Sequence, residues 1–214
     1  MKKILFFDLD GTLTDPGVGI TNSVAYALKK FGIDVPEKEK LYSFIGPPLY
    51  NSFREHFGFS HEDAELAIVY YREYFAPKGK LENTVYEGIP ALLEALKAMG
   101  KTLVVATSKP EKFALEILEH FDLLKYFDKV YGATMDEQRN TKDAVIAYAL
   151  NEMKLSARDV LMIGDRKYDI EGAHKNSMEA VGVLFGYGDR AELEAEGAEY
   201  IADSVAELRK ILTK

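Results

Sequence analysis

Four apolar residues in a row, Ile4 to Phe7, stop abruptly at Asp8-Leu9-Asp10-Gly11-Thr12-Leu13. A short unbroken apolar run bounded by turn residues predicts a strand buried on both faces. The design recurs twice. Thr102-Leu103-Val104-Val105-Ala106 ends on Thr107-Ser108-Lys109-Pro110, and Val160-Leu161-Met162-Ile163 runs into Gly164-Asp165-Arg166-Lys167-Tyr168-Asp169. Asp128 to Tyr131 gives a weaker strand, and Ala180 to Phe185 and Tyr200 to Ala202 give two more. Between them the apolar spacing turns helical: Leu92, Leu93, Leu96 and Met99 after Gly88-Ile89-Pro90; Phe113, Leu115, Ile117 and Leu118; Lys142 to Met153; and Val205 to Leu212. Strands alternating with helices predict a parallel sheet joined by right-handed crossovers, an α/β fold.

One block breaks the alternation. Thr14-Asp15-Pro16-Gly17-Val18-Gly19 reads as a loop or hinge. Helical spacing follows at Ile20, Val24, Ala27, Leu28 and Phe31, and again from Asp63 to Phe75. No strand pattern occurs between about 16 and 80, so this all-helical block reads as an insertion between strands. Internal repeats and low-complexity tracts are absent from the sequence.

Composition narrows the function. The chain has 214 residues and a formal net charge of −8, which argues against general nucleic-acid or membrane-surface binding. An anionic substrate would need local positive charge. With no Cys, disulfides, thiolate zinc sites and cysteine nucleophiles are excluded. The four His (His56, His61, His120, His174) are scattered, which disfavours a His-rich metal site. No apolar run approaches a membrane span, and Ile4 begins too early for a secretory leader, so a cytoplasmic protein is expected.

The chemistry collects where strands end. Asp8 and Asp10 lie two apart, so on extended backbone they share a face. Gly11 permits a turn, and its N–H groups together with Thr12 could receive an anion. Two acids at the end of a buried strand are explained by a divalent cation or, more plainly, by a solvated acidic turn. A helix-hand calcium loop fits poorly, because its required glycine falls on Leu13. If the three loaded strands are neighbours, their turns share one crevice beyond the carboxyl edge of the sheet, and a hard cation there would bring the carboxylates together.

Taken together, Asp8-Leu9-Asp10-Gly11-Thr12-Leu13, Thr107-Ser108-Lys109-Pro110, Lys142 and Gly164-Asp165-Arg166-Lys167-Tyr168-Asp169 resemble, in order and spacing, the motifs of the haloacid dehalogenase-like hydrolase superfamily. Within it the chain is similar to phosphoglycolate phosphatase-like members with a helical cap. The resemblance implies a Rossmann-like, three-layer parallel-sheet core over 1–15 and 84–214 and an inserted all-helical cap over 16–83. It also implies a cap specificity loop at Ile45-Gly46-Pro47-Pro48-Leu49.

The roles it implies are specific. Asp8 would be the nucleophile and form an aspartyl-phosphate. Asp10 would be general acid, then general base. Thr107 and Lys142 would hold phosphoryl oxygens, with Gly11, Thr12, Ser108 and Lys109 as further phosphate-binding residues. Magnesium would be held by Asp8, the Asp10 backbone carbonyl and Asp165, with Asp169 ligating directly or through a neighbour. Ser108 stands where many relatives carry Asn, and Asp143 where they often carry Pro. Lys109 and Lys125 compete with Lys142 for its role. The second acid, Asp10, favours a phosphatase or phosphomutase over a dehalogenase or transport ATPase.

The expected activity is magnesium-dependent hydrolysis of a small phosphomonoester, phosphoglycolate-like or a nucleoside monophosphate. A sugar phosphomutase and a non-catalytic phosphate-ester binder are the rivals. Tyr42, Phe44, Tyr50, Phe53 and Phe57 could stack on a base, although helical spacing makes them core candidates, and Lys40 and Arg54 read as solvated surface. The partner is thus a small phosphate ester, with no nucleic acid or membrane, and the oligomeric state is not legible. Gly186-Tyr187-Gly188-Asp189-Arg190-Ala191 matches a dinucleotide fingerprint, but too little chain follows, so it reads as a turn.

Overall fold

The computed structural model describes residues 2–136 and 138–214. In chain order the elements are β1 (Ile4–Phe7), β2 (Thr14–Asp15), α1 (Gly17–Lys30), α2 (Leu49–Phe57), α3 (His61–Phe75), β3 (Thr84–Val85), α4 (Ile89–Ala98) and β4 (Thr102–Pro110). They continue with α5 (Glu111–His120), β5 (Lys129–Ala133), α6 (Lys142–Met153), β6 (Val160–Gly164), α7 (Lys167–Lys175), β7 (Glu179–Val183), α8 (Arg190–Ala195), β8 (Tyr200–Ala202) and α9 (Val205–Leu212).

Six strands form one sheet in the order β5-β4-β1-β6-β7-β8, and each neighbouring pair is parallel. Alternation along β1 explains why it lies in the middle. Successive side chains point to opposite faces, so Leu5 and Phe7 enter one buried core with Leu103, Val105, Leu161 and Ile163, while Phe6 enters the other with Val104, Ala106 and Met162. Helices α4, α5 and α9 supply the first core, and α6 and α7 the second. From β1 the chain moves outward through β4 and β5, then returns to the opposite side of β1 with β6. That reversal is a topological switch point, where a crevice opens beyond the carboxyl ends of neighbouring strands.

The chain divides into two compact units, Met1–Thr14 with Val85–Lys214, and Asp15–Thr84. The second is helical and has its own core. Helix α1 packs on α3 through buried Ile20, Val24, Ala27 and Leu28 on one side and Ala64, Ala67, Ile68 and Tyr71 on the other. Phe44 and Phe53 are buried there against each other, with ring centroids 5.0 Å apart. They are core residues, while Tyr42, Tyr50 and Phe57 are half-buried. Among the described residues no helix is long and apolar enough to cross a membrane.

Several boundaries differ from the sequence reading; β5, for example, runs to Ala133 rather than Tyr131. Helix α1 starts at Gly17, inside the expected loop, because the Asp15 carboxylate accepts the Gly17 N–H at 2.9 Å and turns the chain directly into the helix. Strand β4 runs on through Thr107-Ser108-Lys109 to Pro110, pairing with β5 across a register shift between Ala106 and Pro110. Strand β7 starts at Glu179 and ends at Val183, before Leu184 and Phe185.

Candidate active site

Asp8 leaves the end of β1, and its N–H still donates to Ile163 O of β6 at 2.9 Å, so β1 and β6 remain zipped up to the first acid. The chain then folds into a tight turn. Leu13 and Thr14 N–H both donate to Leu9 O, and Gly11 N–H donates to Thr14 O. Gly11 has φ +81°, and a Cβ there would lie 2.1 Å from Asp165 Oδ2. Only glycine combines that backbone with so close a carboxylate. The Thr12 hydroxyl donates to the other oxygen, Asp165 Oδ1, at 3.3 Å.

Asp8, Asp165 and Asp169 are buried, and each offers an oxygen within 4.8 Å of those offered by the others. Lys142, at the start of α6, reaches into the cluster. Its ammonium has three N–H donors and three oxygens around it: Asp8 Oδ1 at 2.6 Å, Asp169 Oδ1 at 2.8 Å and Ala106 O at 3.0 Å. Asp169 also accepts the Arg166 N–H on Oδ2 at 3.0 Å, capping α7. Lys125, the competitor for Lys142's role, pairs instead with Asp122 on the exposed surface.

The second acid has a separate partner. Asp10 Oδ2 lies 2.6 Å from Lys109 Nζ, with both side chains nearly buried. Asp10 Oδ1 is buried and accepts no hydrogen bond among the described residues. Thr107, also buried, accepts the Lys109 N–H at 3.2 Å, and Ser108 is half-buried in the same segment. The structure thus gathers Asp8, Thr12, Lys142, Asp165 and Asp169 in one cluster, and Asp10 with Lys109 beside it. His61, His120 and His174 engage Tyr50, Phe121 and Glu199 respectively, and none is part of the acid cluster.

The electrostatics are unbalanced. Burial drives the Asp165 carboxyl well above its ordinary value, and the charges of Asp169 and Asp8 add to this. Burial likewise raises Asp169, to about 6, although Lys142 pulls it back. Burial opposes the charge on Lys142, but Asp169 and Asp8 outweigh it and push the ammonium up to about 12. Burial also raises Asp10, with Lys109 opposing. Three buried carboxylates around one lysine leave negative charge uncompensated, and their hard oxygens suit a small divalent cation.

A further group closes on this cluster, one that the sequence marks only as a turn. The Gly186-Tyr187-Gly188 turn after β7 lies against Asp165. Tyr187 N–H donates to Asp165 Oδ2 at 2.8 Å. Added Cβ atoms would meet Asp165 Cβ at 2.4 Å from Gly186 and Asp165 O at 2.0 Å from Gly188. Behind it, Glu192 of α8 accepts from Arg166 Nε at 2.9 Å and from Lys167 N at 2.7 Å, fixing the start of α7. The glycine spacing that mimics a nucleotide fingerprint makes room for a carboxylate.

A doubly wound sheet with an acid–lysine cluster at its switch point defines an α/β protein with a charged ligand crevice. A family model described as haloacid dehalogenase-like hydrolase matches residues 5–183, and the chain belongs to that family. It is 46% identical over 208 residues to a 5'-nucleotidase of Pseudomonas aeruginosa, covering 97% of this chain and 94% of that one. It is 37% identical to the tyrosine-protein kinase PtkA of Mycobacterium tuberculosis, over 98% of this chain and 72% of that one. A phosphoglycolate phosphatase of Vibrio parahaemolyticus is 26% identical, over 98% and 96%. Among solved structures, a protein from Clostridium acetobutylicum described as a predicted phosphatase superposes with TM-score 0.97 at 50% identity, covering 100% of this chain and 99% of that one.

Proposed function

We propose that this haloacid dehalogenase-like phosphatase hydrolyses a small phosphomonoester in two displacements at Asp8, with magnesium held by Asp8, Asp165 and Asp169 and by the Asp10 backbone carbonyl. The observation that carries the reading is the meeting of three buried carboxylates with Lys142 against the first of them. When bound, the cation would screen the carboxylates from the anionic ester and stabilise charge on its oxygens.

The protein's own groups supply the rest. An Asp8 carboxylate oxygen attacks phosphorus and the bond to the leaving oxygen breaks. Asp10 gives that oxygen its proton. Asp10 then takes a proton from water as the water oxygen attacks the aspartyl-phosphate, releasing inorganic phosphate and restoring Asp8. Lys142 and Thr107 hold the phosphoryl oxygens, while the Gly11 and Thr12 N–H groups are spent within the turn, on Thr14 O and Leu9 O. A nucleoside monophosphate and a phosphoglycolate-like ester are the substrate classes supported by the named relatives.

The test is phosphate release from a panel of aryl phosphates, nucleoside monophosphates and phosphoglycolate, with magnesium and with EDTA. Free phosphate should appear one-for-one with the alcohol, only with metal, and not with Asp8→Asn. Phosphoryl transfer to a sugar or protein hydroxyl in place of free phosphate, or wild-type turnover by Asp8→Asn, overturns the reading.

A further inference from the structure

Lys109 has a different geometry from Lys142. It lies where β4 shifts register against β5, between Ala106 and Pro110, and such irregularities re-aim side chains. Its N–H is tied back to the Thr107 hydroxyl at 3.2 Å, which fixes the local backbone. Its side chain is 5% exposed and ends 2.6 Å from Asp10 Oδ2. A buried ion pair this close holds its geometry firmly, because releasing either partner leaves an uncompensated charge. The two oxygens of Asp10 are therefore unequal. Oδ2 is occupied by Lys109, while Oδ1 is buried with no hydrogen-bond partner among the described residues.

We propose that Lys109 is a positioning residue for Asp10: it grips Oδ2 and thereby presents Oδ1 as the atom that exchanges a proton with the leaving oxygen and then with water, rather than binding phosphate itself. This rests on the reading of Asp10 as proton donor and acceptor. In the first displacement the breaking P–O bond leaves its electron pair on the ester oxygen, which takes the proton from Oδ1. In the second, Oδ1 receives a proton from the attacking water. Lys109 gains and loses no proton in either.

The test exploits leaving-group demand. A 4-nitrophenolate leaves with little need of a proton, while a phenolate of nearly the same shape needs one. With Lys109→Met, kcat/KM for phenyl phosphate should fall by ~10²-fold or more, the usual scale of proton transfer, and for 4-nitrophenyl phosphate several-fold at most. Inhibition by inorganic phosphate should keep its constant within about twofold, and Lys109→Arg should recover part of the loss, because a residue acting through Asp10 leaves ground-state phosphate binding alone. If Lys109→Met does not fold, Asp10→Asn with and without Lys109→Met removes the stranded charge, and the two should have equal residual kcat/KM. Equal losses on both esters with weakened phosphate inhibition, or a further drop in the double variant, overturns the proposal and makes Lys109 a phosphate ligand. Wild-type protein silent on both esters overturns the underlying reading of the site instead.

Discussion

Lys142 Nζ lies 2.6 Å from Asp8 Oδ1, and both side chains are almost fully buried, 4% and 6% exposed. The lysine is held by acids it also neutralises, so its loss should be felt in stability as well as turnover. Breaking a buried pair by removing one partner costs about 3–5 kcal/mol. For Lys142→Met we expect a loss of that size in urea unfolding with EDTA present, and a smaller loss with magnesium. Unchanged metal-free stability would contradict the ion-pair argument.

Asp165 should behave in the opposite sense. It is buried beside Asp169 and Asp8, and these surroundings disfavour its charge. Asp165→Asn keeps an oxygen for Tyr187 N–H but removes the repulsion. Its melting temperature in EDTA should rise, by about 2–4 °C per kcal/mol relieved in a domain of this size. Its magnesium-induced shift should vanish. A lower metal-free melting temperature would show that the carboxylate is not in conflict with its neighbours.

Tyr187 contributes a backbone N–H, so side-chain substitution at 187 is a poor probe. Gly186→Ala is a better one, since the added carbon would press 2.3 Å from Gly11 O and 2.4 Å from Asp165 Cβ. Displacing groups that orient metal ligands commonly costs about 10–100-fold in affinity. Calorimetric titration with magnesium should register a loss of that order, and wild-type affinity would count against the clamp.

Glu82 offers a pH prediction away from the site. Burial opposes its charge, but hydrogen bonds from Asn22, Lys78 and Tyr74 outweigh that and hold its carboxyl below the ordinary value. A carboxylate depressed on folding contributes stability above its unfolded pKa, about 4.3, and loses it as pH falls through the lower folded value. The stability gap between wild type and Glu82→Gln should therefore be present at neutral pH and close below that range. A gap that widens in acid would reverse the sign.

Much of this was legible because buried parallel strands have an unmistakable pattern. Ile4 to Phe7, Thr102 to Ala106 and Val160 to Ile163 are unbroken apolar runs, and they became the three adjacent strands β1, β4 and β6. Helix α7 was less legible. Its buried residues are Asp169, Ile170, Gly172 and Ala173, and an acid and a glycine on the inner face blur a helical apolar stripe. The acids were legible as residue types, and the neighbouring strand ends did bring Asp8 and Asp165 together. The Asp165 clamp was hidden for a different reason: it acts through the backbone of Tyr187 and through missing side chains, so nothing in its residue types reported a contact 22 positions away. The reach of Lys109 toward Asp10 was hidden as well, since strand spacing does not announce a register slip.

The chain leaves the sheet-bearing unit at β2 and re-enters at β3, and those two short strands are hydrogen-bonded neighbours. Exit and entry are therefore about one interstrand spacing apart, roughly 5 Å. From the sheet's side, Asp15–Thr84 is a detour with a closed mouth: a turn of a few residues there would keep the same strand order. Insertions of very different length and fold can occupy that doorway without rethreading the strands that carry the acids.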